Sequence, residues 1–212
     1  MGEQQEIIIL FTKYPLPGHS KTRLIPKLGD KGAAGLQRRM GEEAVAKLRR
    51  LQNSRPVNVI IHFAGGNHTL MQQWLGNSFH FHLQVGDDIG DRMAKSISNH
   101  FGQFSRIVLI GSDCPGINKA ILCQALDALN ENDLVIGPTF DGGYYLVGVR
   151  ATVLPEQLDS LFRDMRWSTD SVLNDTMQKI ARLNLSCHTL PKLHDIDTPD
   201  DLRHIGHYSD PQ

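Results

Sequence analysis

The sequence is short of several things, and each shortage narrows what the chain can be. Three cysteines, Cys114, Cys123 and Cys187, stand among 212 residues. They form no CxxC pair and no disulfide ladder, which suits a reducing compartment, so a cytoplasmic location is expected. No apolar run approaches the roughly 20 residues that span a bilayer, and no transmembrane segment is expected. Ile7 to Phe11 is too short for a signal-peptide core. Net charge is scarce too: 22 Lys and Arg face 23 Asp and Glu, a formal −1. Without a basic field, no nucleic-acid partner is expected. Repeats, linkers and low-complexity blocks are missing. Two familiar nucleotide signatures are also missing. No GxGxxG follows the first strand, which excludes a dinucleotide fingerprint. Lys21-Thr22 has the ending of a P-loop, but Pro15 and Ser20 stand where its glycines belong.

What is present is an ordinary globular balance, 40% hydrophobic and 21% charged, in a length that suits one domain over residues 1–212. Continuous apolar runs at Glu6–Thr12, Val57–Phe63 and Ile107–Ile110 read as strands buried on both faces. Shorter strands are expected at Phe79–Leu83, Asp133–Pro138, from Tyr144 onward and at Leu185–Leu190. Between them fall helical patterns at Asp30–Leu51, Thr69–Leu75, from about Asp88 to Phe101, Ile117–Leu129, Leu154–Phe162 and from Ser168 or Thr169 to Leu183. Strands alternating with helices predict an α/β fold of three layers, with a mostly parallel mixed sheet.

Asp113 is the anchor of the functional reading. It follows Gly111 at the carboxyl end of an apolar strand, and Pro115-Gly116 stops the strand there. In open α/β sheets that edge binds ligands. The stretch Lys13–Gly29, with its prolines and glycines, reads as a long loop after the first strand. It carries Lys13, Lys21, Arg23 and Lys27, a phosphate cradle by position and charge. Asp87 or Asp88 either caps the following helix or contacts a base or ribose, with Arg92 as a charge partner. Asp141-Gly142-Gly143-Tyr144-Tyr145 is either turn chemistry or a place where backbone approaches a ligand. One of the two tyrosines faces the core and one a site. Trp167 staples a helix or shapes an acceptor pocket. His80 and His82 share a strand face but lack a third ligand, so they read as surface or half-buried residues. Thr198-x-x-Asp201 with Pro199 resembles a capping box. That leaves Asp195 and Asp197 unexplained by capping. A hard cation such as Mg²⁺ takes one or two carboxylates plus phosphate oxygens, a demand Asp113 and Asp197 meet. Asp210-Pro211-Gln212 reads as a frayed tail.

Five motifs then occur in order: Lys13-x-Pro15-x-Pro17-Gly18-x-x-Lys21-Thr22-Arg23-Leu24, Asp88-Ile89-Gly90-Asp91-Arg92-Met93, Gly111-Ser112-Asp113-Cys114-Pro115-Gly116, Asp141-Gly142-Gly143-Tyr144-Tyr145 and Asp195-Ile196-Asp197-Thr198-Pro199. Through them the chain resembles a bacterial family of nucleotide-diphospho-sugar transferases of the GT-A type, often labelled as radical-SAM/selenodomain-associated glycosyltransferases. It is more distantly similar to 2-phospholactate guanylyltransferase. The resemblance implies a GT-A fold and a metal-dependent glycosyl or nucleotidyl transfer from an NTP or NDP-sugar to a small-molecule acceptor. It implies that Lys21 and Arg23 grip nucleotide phosphates and that Asp113 and Asp197 hold Mg²⁺ or Mn²⁺. Lys13, Gly18, Thr22, Asp88 and Arg92 are the further nucleotide-binding candidates. Gly142, Gly143, Tyr144 and Trp167 are the acceptor-side candidates, and Asp141 a catalytic one. Asp113-Cys114-Pro115 departs from the Asp-x-Asp of classical GT-A glycosyltransferases and leans toward nucleotidyl transfer. A non-catalytic nucleotide-binding sensor is the alternative.

Overall fold

The computed structural model describes residues 5–207. One seven-stranded sheet runs through it in the order β3-β2-β1-β4-β6-β5-β7. The strands are β1 (Glu6–Lys13), β2 (Val57–Ala64), β3 (His80–Leu83), β4 (Arg106–Gly111), β5 (Leu134–Pro138), β6 (Tyr144–Arg150) and β7 (Cys187–Thr189). β1 pairs parallel with β2 and β4, β2 with β3, and β5 with β7. Only β6 runs against both of its neighbours. The expected α/β class, with a mostly parallel mixed sheet, is what the chain adopts.

Alternation along each strand builds two cores. Ile8, Leu10, Ile61, Phe63, Val108 and Ile110 face α1 (Ile25–Gln52), α2 (His68–Leu75) and α4 (Lys119–Ala128). Ile7, Ile9, Ile107, Leu109, Val147 and Val149 face α3 (Ile89–Ser98), α5 (Pro155–Phe162) and α6 (Val172–Arg182). The strands read as continuous apolar runs because both faces are covered. No helix among the described residues is long and apolar enough to cross a membrane.

Three boundaries differ from expectation in ways that shape the site. The long loop after β1 is shorter than Lys13–Gly29. Thr22–Leu24 forms a 3-10 turn and α1 starts at Ile25, with a kink at Gly29 (φ 70°, ψ 167°) that separates the first turn from the helix beginning at Asp30. Pro26 fits there because a first-turn residue needs no intrahelical N–H bond. Leu24 and Leu36 bury against Ile196 in a small third core, a contact remote in sequence. Second, α6 starts at Val172. Ser168 has a left-handed backbone (φ 63°), and the Thr169 hydroxyl donates to the Arg166 carbonyl, so neither caps the helix. Third, Pro199–His207 is a 3-10 helix. Its box works through the acid: Asp201 Oδ2 accepts from Asp197 N, Thr198 N and Thr198 Oγ1. The expected tail at Asp210–Gln212 lies outside the described residues.

His80 is exposed and His82 stacks on His62 at 5.4 Å. His62 is 3% exposed, its Nδ1 is 2.8 Å from Ser96 Oγ, and its Nε2 has no partner among the described residues. Burial first, then the His82 and His100 charges, holds its pKa down at about 4. The unfolded chain takes up this proton near pH 6.5 and the folded chain does not. The neutral-His62 contribution is therefore complete above pH 6.5 and is lost as pH falls toward 4, by about 3 kcal/mol. Urea unfolding of His62→Phe between pH 6.5 and 4 is expected to show a flatter loss of stability than the parent. An unchanged slope would remove His62 as its source.

Candidate active site

A cleft of about 580 Å³ opens at the carboxyl edge of the parallel strands, lined by Lys13 at the end of β1, Ala64 at the end of β2, Gln84 just past β3, Gly111 at the end of β4 and Ser112-Asp113 just past it. The loop after β1 is folded by its own turns. Ser20, fully buried, donates to the Tyr14 carbonyl and accepts from Leu16 N. Leu16, His19 and Ser20 use their amides inside the loop, so those three are not part of a backbone cradle. Gly18 supplies a positive φ of 77° for the turn and is not in the cleft wall. Lys21 leaves the loop in the left-handed region (φ 48°), a costly conformation for a non-glycine residue. Its side chain is only 3% exposed, and Nζ donates to Asp113 Oδ1 at 2.7 Å and to the Ile196 carbonyl at 2.6 Å. Two residues on, Arg23 Nη1 donates to Asp197 Oδ2 at 2.5 Å.

These two ion pairs unite residues 92 and 174 positions apart. They are unlike in energy. The Arg23–Asp197 partners are 60% and 40% exposed, and such a pair contributes little to stability. Lys21 is buried, so removing its acceptors would strand a charge. Beneath them the floor is polar: Thr12 Oγ1 donates to Ser112 Oγ, and Gln37 Nε2 reaches Thr12 Oγ1 and the Lys13 carbonyl.

A second cavity of about 180 Å³ shares Gly111, Asp113, Tyr144 and Tyr145 with the cleft and adds Cys114, Thr139, Asp141, Gly143 and Asp195. Asp141 Oδ1 accepts from Thr139 Oγ1 (2.5 Å) and Gly143 N (3.0 Å). Asp195, half-buried, has its pKa pushed up to about 6, by burial first and then by the Asp141 charge, with Asp201 and Asp197 adding to it. Cys114 is buried, and burial holds its thiol protonated. Among the described residues no three His, Cys, Asp or Glu side chains converge to hold a metal.

Most of the sequence-predicted residues meet in these two cavities. Lys13, Lys21, Thr22, Arg23, Arg92, Asp113 and Asp197 line the cleft, Asp141 and Gly143 line the second cavity, and Tyr144 lines both. Asp88 lines neither. It is the N-cap of α3, its Oδ1 accepting from Asp91 N at 2.8 Å. Gly142 also lines neither. Its φ is 93°, and a Cβ there would lie 2.2 Å from the Asp170 carbonyl oxygen, so its glycine serves a backbone crossing. Trp167 is neither staple nor pocket wall. It covers Gly90, where a Cβ would fall 2.3 Å from the indole, and packs near Phe162. The expected split between a core and a site tyrosine does not hold: both line the two cavities, Tyr145 is 5% exposed and donates to the Pro191 carbonyl, and Tyr144 packs on the other core with its hydroxyl buried. Gln37, Gln84 and Ser168 are site residues that the motifs did not single out. Asp195 stands in the fifth motif, i, i+2 from Asp197, and lines the second cavity without having been given a role there.

A three-layer sheet of this order, with its cleft at the carboxyl strand ends, is the GT-A fold of nucleotide-diphospho-sugar transferases. The chain belongs to the family described as "Uncharacterized protein conserved in bacteria (DUF2064)", whose model matches residues 47–169. Among curated proteins there is no match. Among solved structures, a Desulfovibrio desulfuricans protein named as a candidate nucleotide-diphospho-sugar transferase is 35% identical, with a TM-score of 0.85 over 93% of this chain and 84% of that one. A 4-diphosphocytidyl-2C-methyl-D-erythritol synthase from Anaerococcus prevotii shares the fold at 11% identity, with a TM-score of 0.63 over 97% of this chain and 96% of that one. So does a Mycobacterium tuberculosis protein solved in complex with manganese, at 16% identity and a TM-score of 0.57 over 97% and 100%.

Proposed function

We propose that the protein is a transferase that takes a nucleotide donor, an NDP-sugar or an NTP, and passes a group from it to a small acceptor. The observation that carries this reading is the cleft itself: Lys13, Lys21 and Arg23 on one stretch of its wall, facing two carboxylates from β4 and the C-terminal segment. A site for a neutral ligand needs neither set. Phosphate binding would exchange the exposed Arg23–Asp197 pair for Arg23–phosphate contacts, which are charge-assisted and bidentate. Lys21 is already oriented by two acceptors and needs no further ordering.

Divalent metal fits this donor set. Asp113 keeps Oδ2 free of protein partners among the described residues, since Lys21 takes Oδ1, and both acids are about half exposed on one cleft. Hard cations take one or two such carboxylates and complete their shell with phosphate oxygens and water. Asp113 and Asp197 are the side chains that would hold Mg²⁺ or Mn²⁺. When bound, the ion supplies charge neutralisation at the leaving phosphate.

The acceptor is assigned to the second cavity. Its charged lining is Asp113, Asp141 and Asp195, which suits a hydroxyl or amine and repels a phosphate. That favours glycosyl transfer over nucleotidyl transfer to a phosphate, against the lean that Asp113-Cys114-Pro115 suggests from sequence. Asp141, fixed through one oxygen, would use the other to orient the acceptor. A thermal-shift screen of the four NTPs and common NDP-sugars with Mg²⁺ or Mn²⁺ tests the reading, because a ligand stabilises by RT ln(1 + [L]/Kd). One nucleotide class is expected to stand out and to turn over with a hydroxyl or amino acceptor. Binding without product across a broad acceptor panel would favour a nucleotide sensor instead.

A further inference from the structure

The second cavity, to which the acceptor is assigned, has a one-sided hydrogen-bonding wall. The side-chain donors that line it are already used within the protein. Thr139 Oγ1 donates to Asp141 Oδ1, as does Gly143 N. Tyr145 Oη donates to the Pro191 carbonyl at 3.1 Å, and Cys114 Sγ to the His194 carbonyl at 3.2 Å. The Tyr144 hydroxyl is sealed from solvent. What is left for a ligand is carboxylate oxygen: Asp141 Oδ2, Asp113 Oδ2 and the Asp195 carboxylate. Among the described residues none of these accepts a hydrogen bond from another residue.

Charge is one-sided as well. Lys21 offsets Asp113 and Arg23 offsets Asp197. Asp141 and Asp195 line one cavity, and the charges that act on Asp195 are those of Asp141, Asp201 and Asp197, all negative. Lys192, the nearest lysine or arginine to Asp195 in sequence, lies over the Phe140 ring at 5.0 Å. His194 is held in a ring stack, 4.1 Å from Phe140 and 3.7 Å from His204. Two carboxylates that share a small cavity repel each other. A neutral hydroxyl leaves that repulsion in place and brings lone pairs that meet no side-chain donor. An ammonium brings three N–H donors, no acceptor and a positive charge. At about 180 Å³ the cavity is smaller than the roughly 300–1,000 Å³ of sites that enclose a drug-sized ligand. It has room for a small molecule or one end of a larger one.

We infer that the acceptor is cationic: its primary ammonium sits between Asp141 and Asp195, and the rest of it points toward Asp113, where the cavity meets the donor cleft. The inference rests on the acceptor assignment of this cavity. The ammonium serves recognition, because a protonated nitrogen has no lone pair with which to attack. The transferred group goes to a hydroxyl oxygen of the same molecule. That oxygen bonds to the group as the group's bond to the leaving phosphate breaks, and the hydroxyl proton passes to water. Amino sugars and amino alcohols are the class that carries both functions.

The test titrates glucosamine against glucose, and serinol against glycerol, into the intact protein in an amine-free buffer without nucleotide, read by ligand-observed NMR. Each pair differs by one amino-for-hydroxyl replacement. The amine member is expected to bind at least about tenfold tighter, the scale of a hydrogen bond to a charged group, and to weaken with added salt. Asp195→Asn keeps the shape of the side chain and breaks no bond to another residue. In it the amine advantage is expected to shrink to about threefold or less, with polyol affinity within about twofold of the parent. Equal binding of the two members by the parent, or binding by neither, overturns the inference, and these arms need no variant to fold. An amine advantage unchanged in Asp195→Asn overturns it as well. So does loss of amine binding once Mg²⁺ is added, because the acceptor must bind beside the metal. Failure of the nucleotide screen with amine binding intact would instead overturn the donor reading of the cleft.

Discussion

Asp113→Asn is expected to lower kcat by at least about a hundredfold, on the scale seen when a preorganised charged group is removed from a transfer site, while the protein stays folded. The two halves of this expectation rest on different observations. Folding should tolerate the change because Asp113 is 52% exposed and asparagine still offers an oxygen to Lys21 Nζ. Lys21 also retains the Ile196 carbonyl. Lys21 keeps two oxygen acceptors but loses its counter-charge while buried, so a loss of about 1 to 3 kcal/mol is expected in urea unfolding. Activity should not tolerate it, because the amide removes the negative charge through which a divalent ion would be held. Full metal-dependent turnover by the variant would take Asp113 out of the mechanism.

Gly142→Ala is expected to be the most damaging small substitution on stability. The backbone at Gly142 has φ 93°, which an L side chain rarely adopts, and the new methyl would meet the Asp170 backbone at 2.2 to 2.7 Å. Backbone cannot step aside as a flexible side chain can. Leu173 N also donates to the Gly142 carbonyl at 2.8 Å, so any shift disturbs the start of α6. Strain of about one to three kcal/mol plus the clash gives an expected loss of about 3 kcal/mol or more. Thermal or urea unfolding measures it. Gly143→Ala is the control: its Cβ would contact Thr139 Oγ1 at 3.1 Å, a side chain able to move. Equal losses at the two positions would contradict the backbone argument.

How legible this was from sequence depends on the range of the interaction that decides each feature. β1, β2 and β4 were readable because burial on both faces leaves uninterrupted apolar runs. Asp113 was readable because a strand end, an acid and Pro115-Gly116 fall within one short window. Asp88 as a cap is local too, and so was open to reading. The early start of α1 was not, because Leu24 and Leu36 pack on Ile196, far along the chain. Nor was the pairing of Lys21 with Asp113. The residue types and the cation-rich loop pointed to phosphate, but only the folded chain shows Lys21 buried and Arg23 exposed. Gly142 and Trp167 were read toward the acceptor on residue type. The first serves a backbone crossing and the second covers Gly90, contacts that leave no local pattern. Gln84 carries no motif at all. Three carbonyls on β1 and β2 hold it at the cleft wall.

The central claim is that nucleotide phosphates occupy the cleft stretch held by Lys13, Lys21 and Arg23. Arg23 is the residue to test, because its exposed pair with Asp197 contributes little to the fold. The measurement is calorimetric titration of the nucleotide that stabilises the protein most, into the parent and into Arg23→Ala, at low and high salt with Mg²⁺ present. The expected result is a roughly tenfold or greater weakening in Arg23→Ala and a smaller salt dependence than in the parent, with little change in thermal stability. Unchanged affinity and salt dependence in Arg23→Ala would contradict it.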